Sequence, residues 1–496
     1  MKKSIIIIGA GIAGLSAGCY GQMNSYNTEI FELHKKPGGL CTSWKRKGYI
    51  IDGCLHWLVG SSPNNNFYNI WQELGALPGP RIIDHNEFIR IEGPGDKVFI
   101  VYTDVDKLEQ HMKELAPQDK KVTEKFTNAI RECAKVEMPI DKAPELYGPL
   151  DGAKLLTRMV PFLKIMNSWK KISIQDFAKE FTDPFLRQVF PLTFNLPDFP
   201  MMAALMTLAW MSQKAAGFPE GGSLEFSRSI ERRYLSLGGK IHYHSPVSKI
   251  LVVDDRAVGV RLANGKEHRG DIVVSAADGH TTIFQMLDGR YTDEKILEYY
   301  EQLPLFPPLI QVSLGVALSF AGEPRLLLYH LKQPVVIAGK EEKLLGVEIY
   351  NFDPTLAPPG KTVLDVKLYA DYDYWKNLKQ NPRRYKAEKE KVAKQVIDLL
   401  EQRFPGLAGQ IEMLDVATPM TWERYTGNWR ASFEGWLITT RTFGMSMSKT
   451  LPGLKDFYMC GQWVEPGGGV PSAALSARNL IQVICKEDKK SFIAKG

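Results

Sequence analysis

Nowhere in this 496-residue chain do about eighteen apolar residues follow one another without charge, so a membrane-spanning helix is not expected. The opening Met-Lys-Lys runs straight into a short apolar segment instead of a leader, which argues against a cleaved signal and makes the cytoplasm the expected compartment. Cysteine is scarce. The six present (Cys19, Cys41, Cys54, Cys133, Cys460, Cys485) show no CxxC or metal-type spacing, which speaks for reduced thiols and against a disulfide framework or a metal site. Strong charge of one sign is also missing: 62 basic against 56 acidic residues leave a formal +6, too mild for a dedicated nucleic-acid binder. The local basic clusters, Lys45-Arg46-Lys47 and Lys486 to Lys490, read as solvated surface, and peripheral contact with anionic lipid headgroups is compatible with them.

What the chain does have is 44% hydrophobic residues over a length that calls for two domains. Its most specific stretch is Ser4-Ile-Ile-Ile-Ile-Gly-Ala-Gly-Ile-Ala-Gly, an apolar run leading into Gly9, Gly11 and Gly14 in GxGxxG spacing. Gly9 permits the turn off a strand, Gly11 lets the backbone approach a pyrophosphate, and Gly14 lets the following helix lie close to the sheet. The helix N-terminus, with Ile12 and Ala13, then offers free N–H groups to an anion. A second apolar run ends near Glu32 and Leu33, where an acidic side chain can accept hydrogen bonds from ribose hydroxyls. These features together define a dinucleotide-binding start. No second such fingerprint follows, so a separate nicotinamide domain is not indicated and the electron donor or acceptor is unread.

The rest of the nucleotide-binding part is scattered. Lys36-Pro-Gly-Gly-Leu pairs glycines where backbone comes close to something, and Lys47 to Gly53 reads as a turn and a short strand. Helical spacing marks 67–75 and 105–115, with a mostly helical insertion to about 215. A Gly-led helix begins at Gly221, a hairpin turns at Asp254-Asp255-Arg256, and 271–278 is a buried strand ending in small residues. Strands at 309–318, 344–351 and 362–370 and a charged helix over 384–404 belong to another layer. Phe457 onward is again strand, glycine turn and helix. The expected nucleotide domain is 1–95 plus 217–285 plus 431–496, interleaved with a substrate domain of 96–216 plus 286–430.

The ordered set Gly9 to Gly14, Glu32, Pro37-Gly38-Gly39, Gly48 to Asp52, Gly217 to Gly222, Val274 to Asp278, Thr418-Pro419, Glu423 to Asn428 and Gly461 to Gly469 resembles bacterial phytoene desaturases, carotenoid isomerases and retinol saturases, a branch of the flavin amine oxidase superfamily. The resemblance implies an α/β architecture: a Rossmann-type FAD-binding domain of the p-hydroxybenzoate-hydroxylase and amine-oxidase kind, with an interleaved α+β substrate domain. It implies non-covalent FAD, held by Gly9, Gly11, Ile12, Ala13, Gly14, Glu32, Leu33, Gly38, Gly39, Leu40, Val247 at the adenine, Ala276, Gly461, Glu465, Gly468, Gly469 and Val470. It also implies an apolar polyene or lipid substrate that is desaturated, saturated or isomerised. The chain departs from the pattern at Leu40-Cys41, at Asp52 to Leu58, and at Asn428 to Trp436, where bulky side chains replace a Gly-rich run.

No catalytic group stands out. Glu465, directly before the glycine turn, can bond to the cofactor or shuttle a proton, and His56 can face the cavity or be a satisfied structural histidine. Arg430 and Glu434 read as a pair at a cavity mouth or a surface bridge. Met201, Met202, Met206 and Trp210 are candidates for an adaptable apolar substrate wall, with core packing and membrane docking as the competing readings. Other classes remain open: an amine-oxidase-like flavoenzyme, which calls for a polar or aromatic-caged pocket, and a non-catalytic FAD- and lipid-binding protein. Oligomeric state is not encoded legibly.

Overall fold

The computed structural model describes residues 2–495, apart from Asp96 and Pro197 and the side chains of residues 150, 152–159 and 161. At its centre strand β1 (Ser4–Ile8) leads through the glycine turn into helix α1 (Ile12–Met23) and back into β2 (Asn27–Phe31). Distant segments supply the other strands: β3 (Lys240–His242), β4 (Ile272–Ser275) and β5 (Phe457–Met459). The five strands form one parallel sheet in the order β3-β2-β1-β4-β5. Ile5 to Ile8 are all buried, which is why β1 reads as a continuous apolar run: both faces of a central parallel strand are covered. Helices α2 (Gly222–Ser236) and α3 (Val470–Glu487) flank α1 on one face. On the other side of the sheet the strands Val247–Val253, Arg256–Leu262 and Glu267–Arg269 form a small antiparallel layer. Its first turn sits at Asp254-Asp255, both with positive φ, as a tight hairpin requires.

A second sheet of seven strands carries the other half of the molecule. Its order is Ile411–Ala417, Leu309–Val316, Thr362–Tyr369, Lys340–Ile349, Leu326–Ile337, Glu87–Glu92, Val98–Tyr102. The hairpin 87–102 belongs to this second sheet, with Glu87–Glu92 paired in parallel to Leu326–Ile337. The alternation in Glu-Phe-Ile-Arg-Ile-Glu, with Phe88, Ile89 and Ile91 buried, is the signal that was available.

The helical insertion, including Val105–Leu115, Lys120–Cys133, Pro149–Trp169 and Met201–Ser212, packs against the 87–102 end of the second sheet. Among the described residues no helix is long and apolar enough to cross a membrane. The helix Met201–Ser212 is apolar nearly all round because most of it is enclosed, Ala203, Trp210 and Ser212 being only partly buried. Met201 and Met202 have no exposed surface, Met206 is 5% exposed, and all three pack among Phe177, Phe190 and Leu205. Met201 and Met202, without accessible surface, are core side chains of this layer, and Met206 keeps only a little. Trp210 is different. With Trp57 and Met138 it is only partly buried and packs against both the nucleotide-domain core and the helical core, at the seam between them.

Candidate functional site

The site is assembled at the carboxyl edge of the parallel sheet, where an open α/β sheet places its ligand. Glycine turns from three separate segments meet there. A Cβ built on Gly14 would fall 1.9 Å from the Gly9 carbonyl oxygen and 3.3 Å from the Ala276 Cβ, so the third glycine is demanded by helix-to-sheet packing. Gly11 is demanded by nothing in the protein itself: its Cβ would meet only the Gly38 carbonyl oxygen, at 3.9 Å. Gly11 and Gly38 lie side by side as an isolated bridge, and Gly39 faces the Gly11 Cα. Gly461 abuts Ala13, where a Cβ would come within 3.1 Å, so the first and last motifs of the chain touch. The N-terminus of α1 has no side-chain cap and no acidic residue in its first turn, and neither does that of α3 beginning at Val470.

Glu32 sits just past β2, buried, with one oxygen accepting from the Ala10 N–H at 2.6 Å and the other from the His34 N–H at 2.7 Å. Burial raises its pKa and these backbone donors oppose the rise. The segment leading to Val247 lies alongside, through Ser245 N–H to the Glu32 carbonyl at 2.8 Å. Leu33 is exposed and Leu40 partly buried. Two motifs far apart in sequence are tied by one carboxylate. Asp52 accepts from Ser223 N–H and Ser223 Oγ, both at 2.6 Å, and from the Cys54 N–H at 3.0 Å. It thereby caps α2 from outside the helix and pins Tyr49–Asp52 to the Gly217–Gly222 turn.

Of the two catalytic candidates, Glu465 takes an ion pair from Lys449 at 3.3 Å, and Lys449 also bonds Glu145 at 2.5 Å. His56 Nδ1 lies 2.5 Å from Glu348, which receives Lys367 at 2.5 Å and the Tyr350 hydroxyl at 3.1 Å. Burial disfavours the Glu348 anion, but His56 and Lys367 outweigh it and hold its pKa well below the usual carboxylate range. His56 is thus fixed against Glu348 and Lys367 on two inner strands of the second sheet. Cys41 is buried, its thiol directed at the Ser223 carbonyl.

Arg430 and Glu434 do not pair. Arg430 bonds Asp373 at 2.7 Å and lies over the Tyr372 ring, while Glu434 turns the other way. The separation comes from a strained turn in which Arg430 and Ala431 both adopt positive φ, held by Trp429 N–H to Asp278 and Asn428 Nδ2 to the Ser432 carbonyl. Glu434 is delivered to the glycine turn ahead of α3. A Cβ on Gly468 would fall 2.6 Å from its carbonyl oxygen, and one on Gly469 3.9 Å from its Oε1. Burial alone lifts the Glu434 pKa to about 8. The sequence suggested only a pairing with Arg430 and no catalytic role; the signal was a carboxylate next to Gly435 in the segment that departs from the family pattern. The aromatic group beside it, Trp429, Trp436, Trp463 and Tyr300, packs on itself, with Trp436 fully buried and Trp463 4% exposed, so it braces the loop instead of enclosing a ligand.

A cradle free of side chains at Gly11, Gly38 and Gly39, two uncapped helix N-termini and a buried acid at the end of β2 fit a dinucleotide diphosphate and its ribose. Fold and site are those of a dinucleotide-binding flavoprotein. The sequence profile of the flavin-containing amine oxidoreductases matches residues 12–484, and the chain belongs to that family, whose cofactor here is FAD. It is 24% identical over 495 residues to the chloroplastic prolycopene isomerase of Daucus carota, covering 95% of this chain and 78% of that one. It is 23% identical over 518 residues to the lycopene-forming phytoene desaturase of Pseudescherichia vulneris, covering 98% and 100%. An oxidoreductase from Methanosarcina mazei has the same fold, with a TM-score of 0.60 at 18% identity over 97% of this chain and all of the other.

Proposed function

We propose that the protein is an FAD-dependent oxidoreductase acting on carbon–carbon bonds of an apolar polyene. The observation that carries this reading is the seam between the two cores, where the apolar, partly buried side chains of Trp57, Met138 and Trp210 pack against both. An apolar wall of this kind recognises a hydrocarbon by shape. The self-packed tryptophans argue in the same direction, since an amine substrate calls for open aromatic faces. The likeness to an isomerase and a desaturase of long polyenes supports it further.

Residues Gly11, Gly38 and Gly39 with the α1 N-terminus hold the diphosphate, Glu32 the ribose, and the Gly461–Gly469 turn with Val470 the opposite end of the cofactor. When bound, FAD supplies hydride transfer to or from carbon. The protein's part is to bring a substrate carbon close, exclude water and place one proton-bearing group. The test is an anaerobic absorption experiment on the purified holoprotein with a panel of polyenes, fatty acids and amines. Bleaching of the oxidised flavin bands by a polyene, or their return when a polyene meets the reduced protein, is the expected result. A response to amines alone overturns the proposal.

A further inference from the structure

We propose that Glu434 is the proton donor of the site, giving its carboxyl proton to a substrate carbon while hydrogen is added across a double bond. This rests on the polyene reading and deepens it by assigning a direction. Four observations converge. The strained Arg430-Ala431 turn sends Glu434 inward, away from Arg430. Its backbone seats in the space left by Gly468, and its Oε1 lies against Gly469, the N-cap of α3. Its ionisable neighbours are Cys54, on the segment that carries His56 and Trp57, and Tyr369, at the end of a strand of the second sheet. Glu434 therefore stands where the cofactor turn, the 52–57 segment and the substrate sheet come together.

The carboxyl has no hydrogen-bond or ion-pair partner among the described residues. The cations on adjoining segments are taken: Arg430 by Asp373, Lys449 by Glu145 and Glu465, and Lys367 by Glu348. A structural carboxylate is normally compensated, whereas a carboxyl without a cation in a shielded site stays protonated at neutral pH and serves as an acid. Burial lifting its pKa to about 8 agrees. Glu465 and His56 are poorer candidates because both are already paired with opposite charge. In the balanced step a carbon–carbon double bond receives a hydride from a two-electron donor, the reduced flavin, and a proton from Glu434. The O–H bond breaks as the second C–H bond forms, and the carboxylate left behind recovers its proton from water.

The experiment compares wild type, Glu434→Gln and Glu434→Asp as purified holoproteins. The first readout is the flavin midpoint potential against pH, which needs no substrate. Wild type is expected to show a break in slope near pH 8, Glu434→Asp a displaced break, and Glu434→Gln none. The second is anaerobic reoxidation of the reduced protein by a conjugated polyene, expected to slow at least about 100-fold in Glu434→Gln, the lower end of what an acid–base group contributes, with partial rescue in Glu434→Asp. Identical potential curves in wild type and Glu434→Gln overturn the assignment, as does an unchanged reoxidation rate. If no polyene reoxidises even the wild type, the polyene reading falls and the proton-donor role with it, while the potential curves still decide whether Glu434 protonation is coupled to the flavin.

Discussion

Two glycines three residues apart in one motif should fail in opposite ways when a single methyl group is added. At Gly14 the new Cβ would lie 1.9 Å from a backbone oxygen, a contact relieved only by lifting α1 off the sheet. Strain of that kind in a close-packed interior exceeds the usual 1–3 kcal/mol of overpacking, and roughly 3–5 kcal/mol is a fair expectation against a total stability of about 5–15 kcal/mol. At Gly11 the backbone is extended (φ −69°, ψ 178°) and the nearest atom is 3.9 Å away, so Gly11→Ala should cost the protein about 1 kcal/mol or less, as for an N-cap glycine replaced by alanine. The same methyl intrudes on the diphosphate, and about 1–3 kcal/mol of crowding corresponds to roughly 5- to 150-fold weaker FAD binding. The assay is thermal unfolding of both variants stripped of flavin, followed by titration with FAD monitored by flavin fluorescence. Gly14→Ala should melt far below wild type, and Gly11→Ala should melt close to it while binding FAD weakly. A Gly11→Ala protein that binds FAD with wild-type affinity, or a Gly14→Ala protein of wild-type stability, refutes the division of labour between the two positions.

Met202→Ala should destabilise the protein by about 2–5 kcal/mol in urea unfolding with flavin content per folded molecule unchanged, because the side chain is core. Trp210→Ala, by contrast, should change which polyenes react at least as much as it changes stability, measured by anaerobic flavin titration with chains of different length. Asp52→Ala should lower the melting temperature sharply and loosen the 217–222 turn to proteolysis, since it strands the Ser223 and Cys54 donors in the interior, each worth about 1–3 kcal/mol. Glu434 has a folded-state pKa raised from 4.5 to about 8, so the folded form resists its ionisation and wild type loses stability as pH climbs through that interval. Glu434→Gln lacks this loss, and the stability gap between the two should widen from pH 5 to 8 by at most roughly 4 kcal/mol and then level off; a gap that is flat with pH counts against the partly buried, uncompensated carboxyl.

The parallel sheet was legible because each of its strands carries a local signature: Ile5 to Ile8 buried on both faces, Val273 and Val274 ending in small residues, and glycines at their carboxyl ends. The interleaving was legible from the return of those signatures at Gly221 and Gly461. What could not be read is what depends on contacts between segments. An all-apolar helix such as Met201–Ser212 looks the same whether it lines a cavity or fills a core, and only the enclosure of Met201 and Met202 by Phe177 and Phe190 decides it. The Glu87–Glu92 strand finds its partner more than two hundred residues away, at Leu327 to Tyr329. Glu434 and Arg430, four residues apart on an irregular loop, part company because of two backbone dihedrals that no side-chain pattern announces.

The way the parallel sheet is strung together has a consequence for biosynthesis. Its central strand is made first and one of its edges, Phe457–Met459, is made last, with α3, which covers α1, later still. A nascent chain on the ribosome must therefore keep the β4 edge shielded from residue 275 to 457, and the face of α1 that α3 covers from residue 23 to 470, a long exposure for apolar surface. Chains released before residue 457 cannot close the sheet or bring Gly461 against Ala13, and so lack the turn that completes the cofactor site. Capture of the yellow cofactor thus marks molecules whose translation has passed that strand, and a chain interrupted earlier is left colourless, sticky and open to degradation.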